Sequence, residues 1–231
     1  YYASRGLGDV YKRQKMRSYV KAGKTICGDE LGQVIAQALE MGENNACMKC
    51  IVAAPTAGSC GVLPAVLLPY QKRMGLSDEE MVRALYIAGA IGQAVATKAS
   101  IAGAAGGCQA EIGTASAMAA GALVSLRGGT NEQIGHAVAM ALKNLMGLVC
   151  DPVAGLVEVP CVKRNVIGSV NALSAADMAL AGIISRIPPD QVIDAMREVG
   201  DQMHPSLRET GQGGLANTPA AREWCAAQEE E

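Results

Sequence analysis

The sequence contains no phenylalanine, one tryptophan and two histidines in 231 residues. A core of large aromatic side chains is therefore excluded. It also lacks a charge of one sign: the formal net charge is −2, and no basic run stands out. That argues against a nucleic-acid face. No uninterrupted apolar run is long enough to span a bilayer. The longest charge-free stretch, Cys50–Gln71, is broken by Pro55, Pro64 and Pro69, each of which breaks or kinks a helix. The first residues show no charged-then-apolar-then-small pattern. A cytoplasmic, reducing location with no membrane association is expected.

What is present is small and apolar. Hydrophobic residues make up 50% and charged residues 18% of the chain, which excludes a disordered polymer. There are 39 alanines and 27 glycines. Alanine is the best helix former, and small side chains let helices approach closely. Few segments suit strands. The composition predicts an all-α fold, a compact Ala/Gly-rich helical domain.

Residues 1–14, YYASRGLGDVYKRQ, are polar, aromatic and aperiodic, and are expected to be a non-native leader. A helical domain is expected over residues 15–204, followed by a polar, irregular tail over 205–231. Asp29 is expected to cap a helix that Gly42 ends. Residues 47–69, rich in Gly and Pro, must include a loop. Ser77-Asp78-Glu79-Glu80 has the form of a capping box and opens a helix to about Thr97. Further helices are expected from Cys108 to about Leu126, from Thr130 to near Gly147, from Asn165 to Arg186, and from Asp190 to Gln202.

Eight cysteines in a reducing compartment point to metal or catalysis more than to disulfides. Cys108 follows Ala-Gly-Gly at a helix start. Cys150 sits in Leu-Val-Cys-Asp-Pro-Val-Ala-Gly, and Cys161 in Val-Glu-Val-Pro-Cys-Val-Lys-Arg-Asn. Backbone N–H groups at such helix ends favour thiolate, the metal-binding form. Taken singly, each reads more simply as a buried, inert thiol. Cys47-Met-Lys-Cys50 has the spacing of a zinc or redox pair, but no second pair completes a zinc site. Cys60 lies in Pro-Thr-Ala-Gly-Ser-Cys-Gly, where Thr56, Gly58 and Ser59 offer hydroxyls and backbone groups to a substrate carboxylate or amine; a tight turn with capping hydroxyls is the competing reading. Arg164 and Asn165 could anchor a carboxylate or cap the following helix. His136, in an apolar helical context, reads as a structural histidine. Cys27 and Cys225 have no distinctive context.

Together these blocks resemble the iron–sulfur L-serine dehydratases. The resemblance is carried by Ile51–Pro64, Ala104–Gly113, Gly147–Asn165 and Leu207–Ala216, and covers about residues 18–220, the α subunit or α domain of that family. It implies an all-α fold and a [4Fe–4S] cluster held by Cys108, Cys150 and Cys161, with one iron free of protein thiolate. It implies conversion of L-serine to pyruvate and ammonia without pyridoxal phosphate. The open iron would act as a Lewis acid on the hydroxyl. In the well-studied zinc case a metal lowers the pKa of a bound oxygen by roughly 8 units, on the order of 11 kcal/mol. The family's β part, which is expected to supply the histidine base, is absent from this sequence, so a separate β subunit and a hetero-oligomer are expected. The alternatives are an L-cysteine desulfidase-type lyase on the same cluster, or a non-catalytic iron–sulfur electron carrier or sensor.

Overall fold

A computed structural model describes residues 12–229 of the chain. Those residues form ten α-helices and no strand, in agreement with the all-α expectation. Most of the expected leader lies outside the described residues. Lys12–Gln14 form the first turn of α1 (Lys12–Lys21), where the Arg13 backbone N–H donates to the buried Glu43 carboxylate at 2.7 Å.

Next come α2 (Gly28–Ala46), α3 (Val62–Met74), α4 (Asp78–Lys98) and the single turn α5 (Gly103–Gly106). A π-turn over Gln109–Gly113 leads into α6 (Thr114–Leu126). Then follow α7 (Asn131–Asn144), α8 (Cys161–Leu180), α9 (Pro189–Gln202) and α10 (Pro219–Glu229). Helix α6 is the centre of the molecule. Every residue from Thr114 to Val124 is buried, as a helix apolar on all sides must be. It packs against α4, α7, α8 and α3. Small residues favour this packing: a Cβ on Gly121 would run into the end of the Ile91 side chain of α4, which would have to shift. Asn171 ties three helices together, donating to Ser116 Oγ at 2.8 Å and to the Ala141 carbonyl at 2.9 Å.

The capping box read at Ser77 forms, and Thr130, read only as a helix start, forms a second. The Ser77 N–H donates to Glu80 Oε2 at 2.8 Å, and the Glu80 N–H returns a bond to Ser77 Oγ. Thr130 and Gln133 do the same for α7. Other boundaries differ. Gly42 does not end α2: it is buried within it, and a Cβ there would meet the Val162 backbone at 3.1 Å. The glycine serves helix packing rather than termination. The loop expected within residues 47–69 is present between α2 and α3, and Pro64 and Pro69 lie beyond it, inside α3. Pro64 is in the first turn, where a missing N–H costs nothing. Helix α8 begins four residues earlier than expected, with Cys161 as its first residue, and stops at Leu180. The tail carries α10, where an irregular segment was expected.

Candidate metal centre

Three separated segments build the site. The first is the stretch around Cys108, which follows Gly107. Gly107 has φ +75, and a side chain there would strike Met203 and the Leu148 carbonyl. The π-turn after Cys108 is pinned through Gln109, whose Nε2 donates to the Met196 carbonyl and whose Oε1 accepts from the Gly147 N–H, both at 2.9 Å. π-turns concentrate at functional sites. Here the turn carries Cys108 and Glu111 towards one another: Cys108 Sγ lies 3.9 Å from Glu111 Oε2.

The second segment carries Cys150. The C-terminal stretch straps it in place. The Cys150 N–H donates to the Leu207 carbonyl at 2.8 Å, and the Glu209 N–H donates to the Cys150 carbonyl at 2.7 Å. Next in the chain, Asp151 Oδ2 accepts from the Leu215 N–H at 2.8 Å. Gly214, at φ +57, sits so close that a Cβ would lie 2.4 Å from that oxygen. The Leu207–Ala216 motif thus acts as a clamp on the Cys150 loop.

The third segment is the start of α8, with Cys161, Arg164 and Asn165. All three thiols are buried, at 2% exposure for Cys108, 3% for Cys150 and 8% for Cys161, and none is in a disulfide. The sulfurs of Cys108 and Cys150 and one oxygen of Glu111 lie within 4.8 Å of one another. Cys161 stands outside this trio, yet near enough for the charges of Cys108 and Glu111 to act on its thiol.

The electrostatics single out Cys108. Its pKa is lowered by a hydrogen bond from the Cys150 thiol, and the Arg164 charge adds to this against the cost of burial. Cys150 is pushed up because it gives that hydrogen to Cys108 and is buried. Cys161 is raised to about 12 by burial, then by the neighbouring anions. The helix N-terminus, expected to favour thiolate there, is outweighed by desolvation. Glu111 is also raised by burial.

Arg164 is the cation of the site. Its Nη2 pairs with Asp151 Oδ1 at 2.8 Å, and its Nη1 donates to the Val149 carbonyl at 2.7 Å and to Cys108 Sγ at 3.5 Å. Burial opposes its charge, but the Cys108 and Asp151 anions outweigh that and raise its pKa. The guanidinium therefore braces two of the cysteine segments. The Asn165 amide is likewise engaged by protein. Its Nδ2 donates to the Gly58 and Cys161 carbonyls at 2.8 and 2.9 Å, and its Oδ1 accepts from the Gly61 N–H at 2.9 Å.

Asn165 thereby docks the Thr56–Gly61 turn beside the thiols. Thr56 Oγ1 donates to Glu111 Oε1 at 2.8 Å and lies 3.2 Å from the fully buried Ser59 Oγ. A Cβ on Gly58 would lie 3.3 Å from Glu111 Oε1. Thr56 and Gly58 thus lie against the Glu111 carboxylate, and Ser59 braces Thr56 from within the turn. Cys60, in the same turn, points away: its thiol donates to the Met41 carbonyl of α2 at 3.9 Å, and burial raises it to about 11. His136 Nδ1 accepts from the Ser185 N–H at 3.4 Å, and Lys143 Nζ donates to Ser185 Oγ at 3.3 Å.

Glu111 is the residue that sequence reasoning missed. Its signal was available: it is the lone charged residue between Lys98 and Arg127. A charge held in such an apolar run needs a partner.

The described residues thus define an all-helical domain with two buried thiols and a carboxylate gathered as a candidate metal-binding group. The family model described as serine dehydratase alpha chain matches residues 2–216, and the chain belongs to that family. It is 56% identical over 209 residues to the "Probable L-serine dehydratase, alpha chain" of Bacillus subtilis (strain 168), covering 90% of this chain and 70% of the relative. It is 57% identical over 191 residues to the protein of the same description from Latilactobacillus sakei, covering 83% and 91%. The "L-serine dehydratase, alpha chain" of Peptoniphilus asaccharolyticus is 50% identical over 200 residues, covering 87% and 68%. Among the described residues, no helix is long and apolar enough to cross a membrane.

Proposed function

We propose that this chain is the α subunit of an iron–sulfur L-serine dehydratase, a lyase that converts L-serine to pyruvate and ammonia in the cytoplasm together with a separate β subunit. The observation that carries the reading is the gathering of buried cysteine side chains from distant segments. Cys108 and Cys150 are 42 positions apart, yet their sulfurs share one 4.8 Å site with Glu111. Cys161 lies close enough to feel the same charges.

The donor set fits a [4Fe–4S] cluster. Soft thiolates suit iron–sulfur clusters. The Arg164 guanidinium offsets part of the anionic charge, and glycine at 103 leaves room: a Cβ there would lie 2.9 Å from Cys150 Sγ. When bound by Cys108, Cys150 and Cys161, such a cluster supplies a Lewis acid for departure of the serine hydroxyl.

The chain's own residues do the rest. Burial of the thiols keeps bulk water from the site. Thr56 and Gly58 offer hydroxyl and backbone groups to the substrate beside the thiols, and the buried Ser59 hydroxyl holds Thr56 in place. Arg164 and Asn165 fix the relation of the cysteine segments to that turn, so that the substrate is held in one orientation. The Cα proton is removed by a base from the β subunit. The two histidines of this chain are held elsewhere: His136 by Ser185, and His204 by Ser206, whose N–H donates to His204 Nδ1 at 3.2 Å.

Anaerobic purification of the chain with its β partner, followed by assay of pyruvate from L-serine, tests the reading. Pyruvate and ammonia released in equal amounts, and lost in Cys150→Ser, support it. Sulfide release from L-cysteine without pyruvate from serine would favour the desulfidase. A reversible redox couple without turnover would favour the carrier.

A further inference from the structure

Glu111 belongs to neither the expected cysteine set nor the expected substrate-binding set. Its surroundings are specific. Oε1 accepts the Thr56 hydroxyl at 2.8 Å. A Cβ at Gly103 would lie 2.8 Å from Oε2, so glycine at that position lets the backbone close over the group. One edge of the carboxylate is thus held by protein. The other edge is turned on sulfur, with Oε2 3.9 Å from Cys108 Sγ and a Glu111 oxygen within 4.8 Å of both Cys108 and Cys150.

Oxygen and sulfur donors gathered at that spacing repel one another once ionised. Arg164 relieves this at Cys108, whose Sγ it approaches to 3.5 Å, while its other donors go to Asp151 and Val149 rather than to Glu111. A carboxylate oxygen is a hard donor, suited to an iron that carries no thiolate.

The geometry points to Glu111 as the oxygen ligand of the one cluster iron that no cysteine of this chain holds. Thr56 is its positioning residue. The inference rests on the cluster reading above. In loading, a Glu111 oxygen takes one coordination position on that iron in place of a water, which leaves to solvent, and no electron is transferred.

The test uses the anaerobic complex with its β subunit, as wild type, Glu111→Ala, the isosteric Glu111→Gln, and Glu111→Asp. Iron and acid-labile sulfide per chain are measured, with Mössbauer spectra taken without substrate. Circular dichroism checks the fold of each. The expected result is one spectroscopically distinct iron in the wild type. That iron is lost in Glu111→Ala and Glu111→Gln at unchanged sulfide, and is retained in part by Glu111→Asp. Full iron content with an unaltered distinct iron in folded Glu111→Ala and Glu111→Gln overturns the inference and leaves the cluster reading standing. A wild-type complex devoid of iron and sulfide overturns both.

Discussion

The Thr56 hydroxyl donates a 2.8 Å hydrogen bond to Glu111, joining two side chains 55 residues apart across the candidate site. The bond links a turn built of proline, glycine and hydroxyl residues to the π-turn that carries Cys108. Replacing Thr56 by valine removes the donor while keeping the shape. An unpaired buried acceptor costs about 1–3 kcal/mol, so kcat/KM for L-serine should fall on the order of tenfold to a hundredfold. Thr56→Ser should keep most of the activity. Steady-state kinetics on the anaerobic complex checks both.

Asn165 is the joint between the Thr56–Gly61 turn and α8. Its side chain makes three hydrogen bonds at 1% exposure. Asn165→Ala leaves their backbone partners unsatisfied and should cost about 2–4 kcal/mol. Urea unfolding of the chain without metal should show this as a lower midpoint at unchanged slope.

Cys60 separates a buried cysteine from a metal-binding one. Cys60→Ala should leave iron and sulfide content unchanged and cost on the order of 1 kcal/mol for the small cavity. Its thiol also predicts a pH effect. The folded pKa is raised from 9.0 to about 11, with burial as the cause. The unfolded chain therefore loses this proton first, and the stabilisation is full below pH 9 and declines as pH rises towards 11. Unfolding free energies across that window should show a shallower alkaline decline in Cys60→Ala than in the wild type.

Gly214 tests the clamp on the Cys150 loop. It lies at φ +57, with room for no Cβ beside Asp151. Gly214→Val should release the Leu207–Ala216 stretch, expose the chain after Cys150 to limited proteolysis, and lower cluster retention in air, while the helical circular-dichroism signal stays within a few per cent (~5%) of wild type. Intact resistance to protease would contradict the clamp.

Features set by neighbours in sequence were legible from it. Ser77 and Glu80 cap each other three residues apart, and Thr130 with Gln133 does the same. Features set across the fold were not. Gly42 and Pro64 read as punctuation, because the α8 surface that receives Gly42 and the first-turn position that tolerates Pro64 appear only once the helices are assembled. Cys108, Cys150 and Cys161 could be picked out by their local contexts and grouped by resemblance, but spacing alone says nothing of their approach. Arg164 and Asn165 were read as groups facing a substrate. Their donors turn to protein carbonyls, to Asp151 and to Cys108, a commitment that depends on segments far away in the chain. Glu111 carried its signal as an isolated charge, yet its partner Thr56 is distant in sequence.

The most direct measurement is iron and acid-labile sulfide per chain in anaerobically prepared protein, taken for wild type and for Cys108→Ser, Cys150→Ser, Cys161→Ser and Cys60→Ala. Equal iron and sulfide in the wild type and in Cys60→Ala, with loss of both in each of the other three, is the predicted result. Full loading that survives serine at position 108, 150 or 161, or a wild-type chain that binds neither element, would contradict it.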